Sequence, residues 1–141
     1  MRLITLFVGR HTVAAPAPEG ASSEVQRFLL EASPDMQASA RGMLALFQRY
    51  AQDGRARLTS SNFHEANRDE GIWEFIKGRL RVFCFVDQDG ALIVLSHGAV
   101  KKQQKADRRE VERTIRLKQA YLQAKTTGTI ELVEANDGVG T

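Results

Sequence analysis

The chain has little from which to build covalent or metal-held structure. Its 141 residues include one cysteine, Cys84, three histidines and three prolines. A single cysteine excludes an internal disulfide and a cysteine-rich zinc site. No two His or Cys residues stand at ligand spacing, so no metal is expected. The glycines are scattered, without a Walker or dinucleotide-binding pattern, and no cofactor is expected. No run approaches the roughly 18 apolar residues of a membrane span. Met1–Val8 lacks the length and cleavage site of a signal peptide, so a cytoplasmic protein without membrane contact is expected. With 43% apolar and 26% charged residues, the composition is that of an ordinary globular domain. A chain of this length can bury roughly two-thirds of its unfolded surface, enough for a core without staples.

The formal charge of +3 is small but unevenly spread. Between residues 101 and 125 stand Lys101, Lys102, Lys105, Arg108, Arg109, Arg113, Arg116, Lys118 and Lys125, opposed only by Asp107, Glu110 and Glu112. From Thr126 onward the charges are Glu131, Glu134 and Asp137. A basic half with an acidic tail fits either an anionic ligand near the basic half or a solvated helix face.

Hydrophobic spacing places the elements. Met1–Val8 reads as an opening strand that ends at Gly9, and residues 14–20, with Pro16 and Pro18, as a loop. Ser22 and Ser23 are N-cap candidates for a short helix through Leu30. Ser33-Pro34-Asp35 starts a second helix, with a capping serine, a proline suited to the first position and an acid at the positive end. Met36, Ala40, Met43, Phe47 and Tyr50 follow at helical spacing until Asp53-Gly54 stops it. Ile72–Ile76, Leu80–Val86 and Ala91–Leu95 read as strands, the last two joined by the turn 87–90. Asp107 and Glu110 stand at capping-box spacing before a basic helix that buries Val111, Ile115 and Leu122. The expectation is an α+β domain over residues 1–125: an N-terminal strand, two helices, a mostly antiparallel sheet of about four strands and a basic C-terminal helix. Residues 126–141 are a tail, with a short strand over Thr129–Val133 and disorder beyond.

The hairpin brings polar residues together. A three-residue loop with Gly90 in the left-handed region pairs Asp87 with Ala91. Phe85 then faces Ile93, Phe83 faces Leu95 and Arg81 faces His97, on one face. A four-residue loop would put Arg81 and His97 on opposite faces. In the first register one sheet end collects Lys77, Arg79, Arg81, His97, Lys101 and Lys102, an arrangement suited to phosphate. Arg81 could instead pair with Glu74 on the neighbouring strand. Both Arg81 and His97 are expected at a strand end, where truncation costs little stability. Cys84 shares the inward face of Leu80, Val82 and Val86 as a small buried hydrophobe. His11 and His64 carry no partner pattern.

Ile72-Trp73-Glu74-Phe75, Arg79-Leu80-Arg81-Val82-Phe83, Leu95-Ser96-His97-Gly98-Ala99-Val100-Lys101-Lys102 and Gln104-Lys105 are similar to the phage-derived branch of the RelE/ParE toxin superfamily, close to the HigB toxins. The resemblance covers about residues 65–122. It departs from the family pattern at Ala99 and Cys84, where aromatics are common, at Ile76, where a basic residue is frequent, and at Asp107, where proline is common.

The resemblance implies a RelE-like toxin of a type II toxin–antitoxin pair, partnered by a helix-turn-helix antitoxin, which enters the ribosome and cleaves mRNA without metal. In that chemistry the ribose 2′-OH attacks the adjacent phosphorus, so a base, an acid and fixed cations are required. It assigns Arg81 and Lys102 to phosphate stabilisation, and His97 or Glu74 to the base or the acid, without choosing. Lys77, Arg79, Lys101, Lys105, Arg108 and Arg109 would bind RNA. A ParE-like gyrase poison and an inactive phage-derived RNA-binding protein are the alternatives.

Overall fold

The computed structural model describes residues 1–102 and 108–135. In chain order the elements are β1 (Arg2–Val8), β2 (Thr12–Pro16), α1 (Glu24–Leu30), α2 (Gln37–Asp53), β3 (Phe63–Asn67), β4 (Ile72–Lys77), β5 (Leu80–Asp87), β6 (Leu92–Val100), α3 (Arg108–Thr126) and β7 (Glu131–Glu134).

The helices form where their caps and apolar spacing place them. Ser23 caps α1 in a full capping box: its hydroxyl accepts from the Gln26 N–H at 3.1 Å, and the Gln26 side chain accepts from the Ser23 N–H at 2.8 Å. Pro34–Met36 makes a tight 3₁₀ turn that leads into α2, and the Ser33 hydroxyl bonds Asp35 at 2.6 Å rather than capping. Ala40, Met43, Leu46, Phe47, Tyr50 and Ala51 form the buried stripe of α2, and Gly54 ends it with a positive φ of 65°.

The class is α+β, but the sheet corrects the expectation of about four mostly antiparallel strands. Seven strands lie in the order β3-β4-β5-β6-β2-β1-β7. The sheet is mixed, because β2 runs parallel to β6 and β7 parallel to β1. Two strands were hidden in the sequence. Residues 14–16, assigned to a loop, belong to β2, whose Val13, Ala14 and Ala15 are wholly buried. A strand covered on both faces has no alternation to read, and Pro16 sits at its end, where a missing N–H is tolerated. β3 is an edge strand of sequence FHEAN, mostly polar, and exists through its ladder to β4. The expected strand over Thr129–Val133 forms as β7.

Helices cover both faces. One core joins α1 and α2 to Val13, Ala15, Phe75, Leu80, Val82, Cys84, Ile93 and Leu95. The other joins α3 to Leu3, Ala14, Ile72, Phe83, Phe85, Leu92 and Val94. On α3, Val111, Thr114, Tyr121 and Ala124 are buried, whereas Leu122 is exposed and Ile115 only packs at the margin.

The β5–β6 hairpin does not take the three-residue loop. Asp87 pairs with Leu92, and Gln88, Asp89 and Gly90 all adopt positive φ. This shift alone would put Arg81 and His97 on opposite faces. A bulge then intervenes: Cys84 pairs with Leu95, but Phe83 pairs with His97, so Ser96 is the extra residue. The bulge flips the parity back. Arg81 therefore faces Ala99, and His97 lies two residues along on the same face.

Candidate active site

Strand register lines up four residues on the α3 face. His64 pairs with Glu74, Glu74 with Phe83 and Phe83 with His97, one from each of β3, β4, β5 and β6. Paired residues in antiparallel strands share a face, so two histidines and a carboxylate flank one phenyl ring.

At one end of this row, His97 is sealed. It is 1% exposed and stacks on Phe83 with ring centroids 5.6 Å apart. Its Nε2 donates to Glu110 Oε1 of α3 at 2.9 Å, and its Nδ1 lies 2.8 Å from Ser96 Oγ. With a carboxylate on Nε2, Nδ1 is left to accept from the serine hydroxyl. Burial, aided by the charge of Arg113, holds the imidazole below its ordinary titration range, although Glu110 opposes them. His97 is thus no strand-end residue that could be truncated cheaply. Glu110, expected to reach back in a capping box, instead ties α3 to the sheet. Nearby, Arg113 pairs with Glu24, linking α3 to α1.

At the other end, Glu74 is 6% exposed and bonds His64 Nε2 at 2.6 Å. His64 Nδ1 meets the Ser60 carbonyl at 3.3 Å. Here the sequence offered no signal: the partner lies ten residues away across a β-turn and appears only once β3 exists.

Arg81 sits beside this pair, opposite Ile76 and on the Glu74 face. It is half-buried, and its Nη1 donates to the carbonyls of Gly78 at 2.8 Å and Leu80 at 3.0 Å. Among the described residues, nothing accepts from its Nε or Nη2. Burial lowers its pKa, while the charge of Glu74 opposes that shift. Arg81 and Glu74 therefore interact through space and form no ion pair at contact distance.

The expected basic cluster is divided by the sheet. Lys77 lies along Gly42 of α2. Arg79 stands in the β4–β5 turn, close enough to Asp35 to help the Ser33 hydroxyl lower that carboxyl. Both thus lean toward the α2 side. Lys101 extends the β6 ladder by an N–H to the Arg79 carbonyl at 2.7 Å, and Lys102 is exposed beside it. Arg108 and Arg109 are exposed in the first turn of α3. Lys105 and Asp107 lie outside the described residues. Cys84 is wholly buried on the α2 face, with its thiol pKa pushed well up by burial.

Among the described residues, no three His, Cys, Asp or Glu side chains converge to hold a metal ion, and no helix is long and apolar enough to cross a membrane. The chemistry within reach is proton transfer by His–carboxylate pairs beside a half-free guanidinium.

The family profile of the phage-derived protein Gp49-like (DUF891) matches residues 27–119. The chain belongs to this family. Gp49-like proteins are associated with RelE-like toxins of toxin–antitoxin systems. The match runs from α1 into α3 and includes both halves of the polar row. No curated protein matches the sequence significantly.

Proposed function

We propose that this Gp49-like protein is the toxin of a type II toxin–antitoxin pair on the HigB-like branch, and that it is a metal-independent endoribonuclease acting on ribosome-bound mRNA in the cytoplasm. One observation carries the reading. Arg81 presents its unused N–H groups beside the buried carboxylate of Glu74, at the sheet end where Lys101 and Lys102 follow β6.

In this reading Arg81 holds the scissile phosphate with a planar fork and stabilises the charge that gathers on phosphorus. Lys102 adds a second cation. Lys77, Arg79, Lys101, Lys105, Arg108 and Arg109 bind the phosphates of mRNA and rRNA. Glu74 belongs to the proton-transfer machinery. His97, covered by Glu110, acts in support by holding α3 against the sheet. A helix-turn-helix antitoxin covers the sheet end that carries Arg81, Lys101 and Lys102, with charge steering the encounter.

Induced expression should arrest bacterial growth, with protein synthesis falling before DNA synthesis. Arg81→Ala should retain ribosome binding yet lower single-turnover cleavage about tenfold or more. If DNA synthesis stops first and double-strand breaks appear, the molecule is a gyrase poison instead. Arg81→Ala cleavage at the parental rate would remove Arg81 from the site.

A further inference from the structure

We propose that His64 is the general acid of this reaction, delivering a proton from Nδ1 to the leaving 5′-oxygen, and that Glu74 is its positioning residue. The inference rests on the nuclease reading above and adds a residue to it.

Hydrogen-bond inventory points to the protonation state. Nε2 of His64 faces a Glu74 oxygen at 2.6 Å, and Nδ1 faces the Ser60 carbonyl at 3.3 Å. A carbonyl only accepts, and an ionised carboxylate only accepts. Both bonds form together when Nδ1 carries a proton and a second proton lies between Nε2 and the Glu74 carboxylate. Glu74 keeps 8% of its side chain exposed, so the His64 ring is the partner that satisfies its buried oxygen. Arg81 lies on the same face, so His64, Glu74 and Arg81 together carry one net positive charge, which suits a phosphodiester.

The two ring nitrogens differ in use. The Nε2 bond is short and half-buried, and it fixes the ring. The Nδ1 bond is long and at the surface. α3 crosses β5, β6 and part of β4, and His64 on the edge strand keeps 41% of its side chain exposed. A weakly held proton on an anchored ring at the open end of the row is what a general acid requires. His97 offers the opposite: a sealed ring with both nitrogens strongly bonded.

The step balances. The 2′-oxygen forms a bond to phosphorus as its proton passes to water. The bond from phosphorus to the 5′-oxygen breaks, and its electron pair stays on that oxygen. The Nδ1 proton of His64 transfers to it, leaving neutral imidazole with its Nε2–H on Glu74. The products are a 2′,3′-cyclic phosphate and a free 5′-hydroxyl, and water reprotonates the ring.

The test uses the full chain, ribosomes and an mRNA whose cleaved bond has been mapped with the parental protein. His64→Gln, checked by a melting curve, should cleave this RNA about a hundredfold more slowly or worse in single turnover. The same RNA is then made with sulfur replacing the bridging 5′-oxygen. A thiolate leaves without a proton, so on that substrate His64→Gln should come within about tenfold of the parental rate, and added imidazole should partly restore His64→Ala on the oxygen substrate. Glu74→Gln should show a smaller oxygen-substrate deficit that sulfur also relieves. An equal deficit on both substrates, or parental cleavage of the oxygen substrate by His64→Gln, removes His64 as the acid while the nuclease reading stands. If the parental protein yields no ribosome-dependent cleavage to map, both readings fall.

Discussion

Two His–Glu pairs lie on the same sheet face, on either side of Phe83, and their surroundings give them different work. His97–Glu110 joins a central strand to α3, with the imidazole 1% exposed. His64–Glu74 joins an edge strand to its neighbour, and the imidazole side chain is 41% exposed. In the first pair the histidine is buried and the glutamate covers it; in the second these roles are exchanged. Burial decides which pair ties the sheet to α3 and which one solvent can reach. A histidine with a carboxylate is therefore not a site by composition alone. Only a ring that keeps a nitrogen within reach of solvent can act as one.

The sharpest way to break this contrast is truncation. His97→Ala should lose about 2–4 kcal/mol in urea unfolding, because it opens a cavity against Phe83 and strands Glu110. His64→Ala should lose less, about 1–2 kcal/mol, because the ring itself is partly exposed although its loss strands the buried Glu74. Comparable losses for the two would show that burial does not separate them.

A smaller effect should come through the back of the sealed pair. A Cβ at Gly98 would lie 2.2 Å from Phe28 Cδ2 of α1, on the opposite face from His97. Gly98→Ala should cost about 1–3 kcal/mol through overpacking. Phe28→Ala in the same chain should relieve part of that, so the two changes would be non-additive. Additive losses would mean that the glycine is needed for some other reason.

The smallest effect is in pH. Burial holds the folded-state pKa of His97 below the ordinary imidazole value. The unfolded chain therefore binds this proton first. The contribution of His97 to stability is present above the unfolded value, and is lost as pH falls from there through the lower folded value. Urea midpoints measured between neutral and mildly acidic pH should decline, and His97→Gln should flatten that part of the curve. An unchanged slope in the variant would assign the acid sensitivity to other groups.

Cleavage of folded variants separates the pairs by function. His64→Gln should lose the chemical step with little change in melting, as argued above, while His97→Ala should lose mainly stability.

Local chemistry determined much of the molecule directly. The Ser23 capping box, the stripe from Ala40 to Tyr50, the glycine stop at Gly54, the opening strand β1 and the apolar runs of β4, β5 and β6 are nearest-neighbour effects, readable because caps and periodicity act within a few residues. The burial of Cys84 and the proximity of Arg81 and Glu74 on neighbouring strands were legible for the same reason. The family-like strings around Trp73, Arg81 and His97 fall within the span that the family profile matches. Tertiary structure alone decided the rest. β2 carries no alternation because both its faces are covered, and β3 is polar because it is an edge; each becomes a strand only when its neighbour supplies the hydrogen bonds. The positive-φ turn at Gln88–Gly90 and the bulge at Ser96 each shift register by one, and their cancellation returns His97 to the Arg81 face. Neither shift is a property of one segment. Glu110 reaching His97 and Glu74 reaching His64 depend on that register, so which histidine is sealed and which is open was fixed by packing between distant strands and α3.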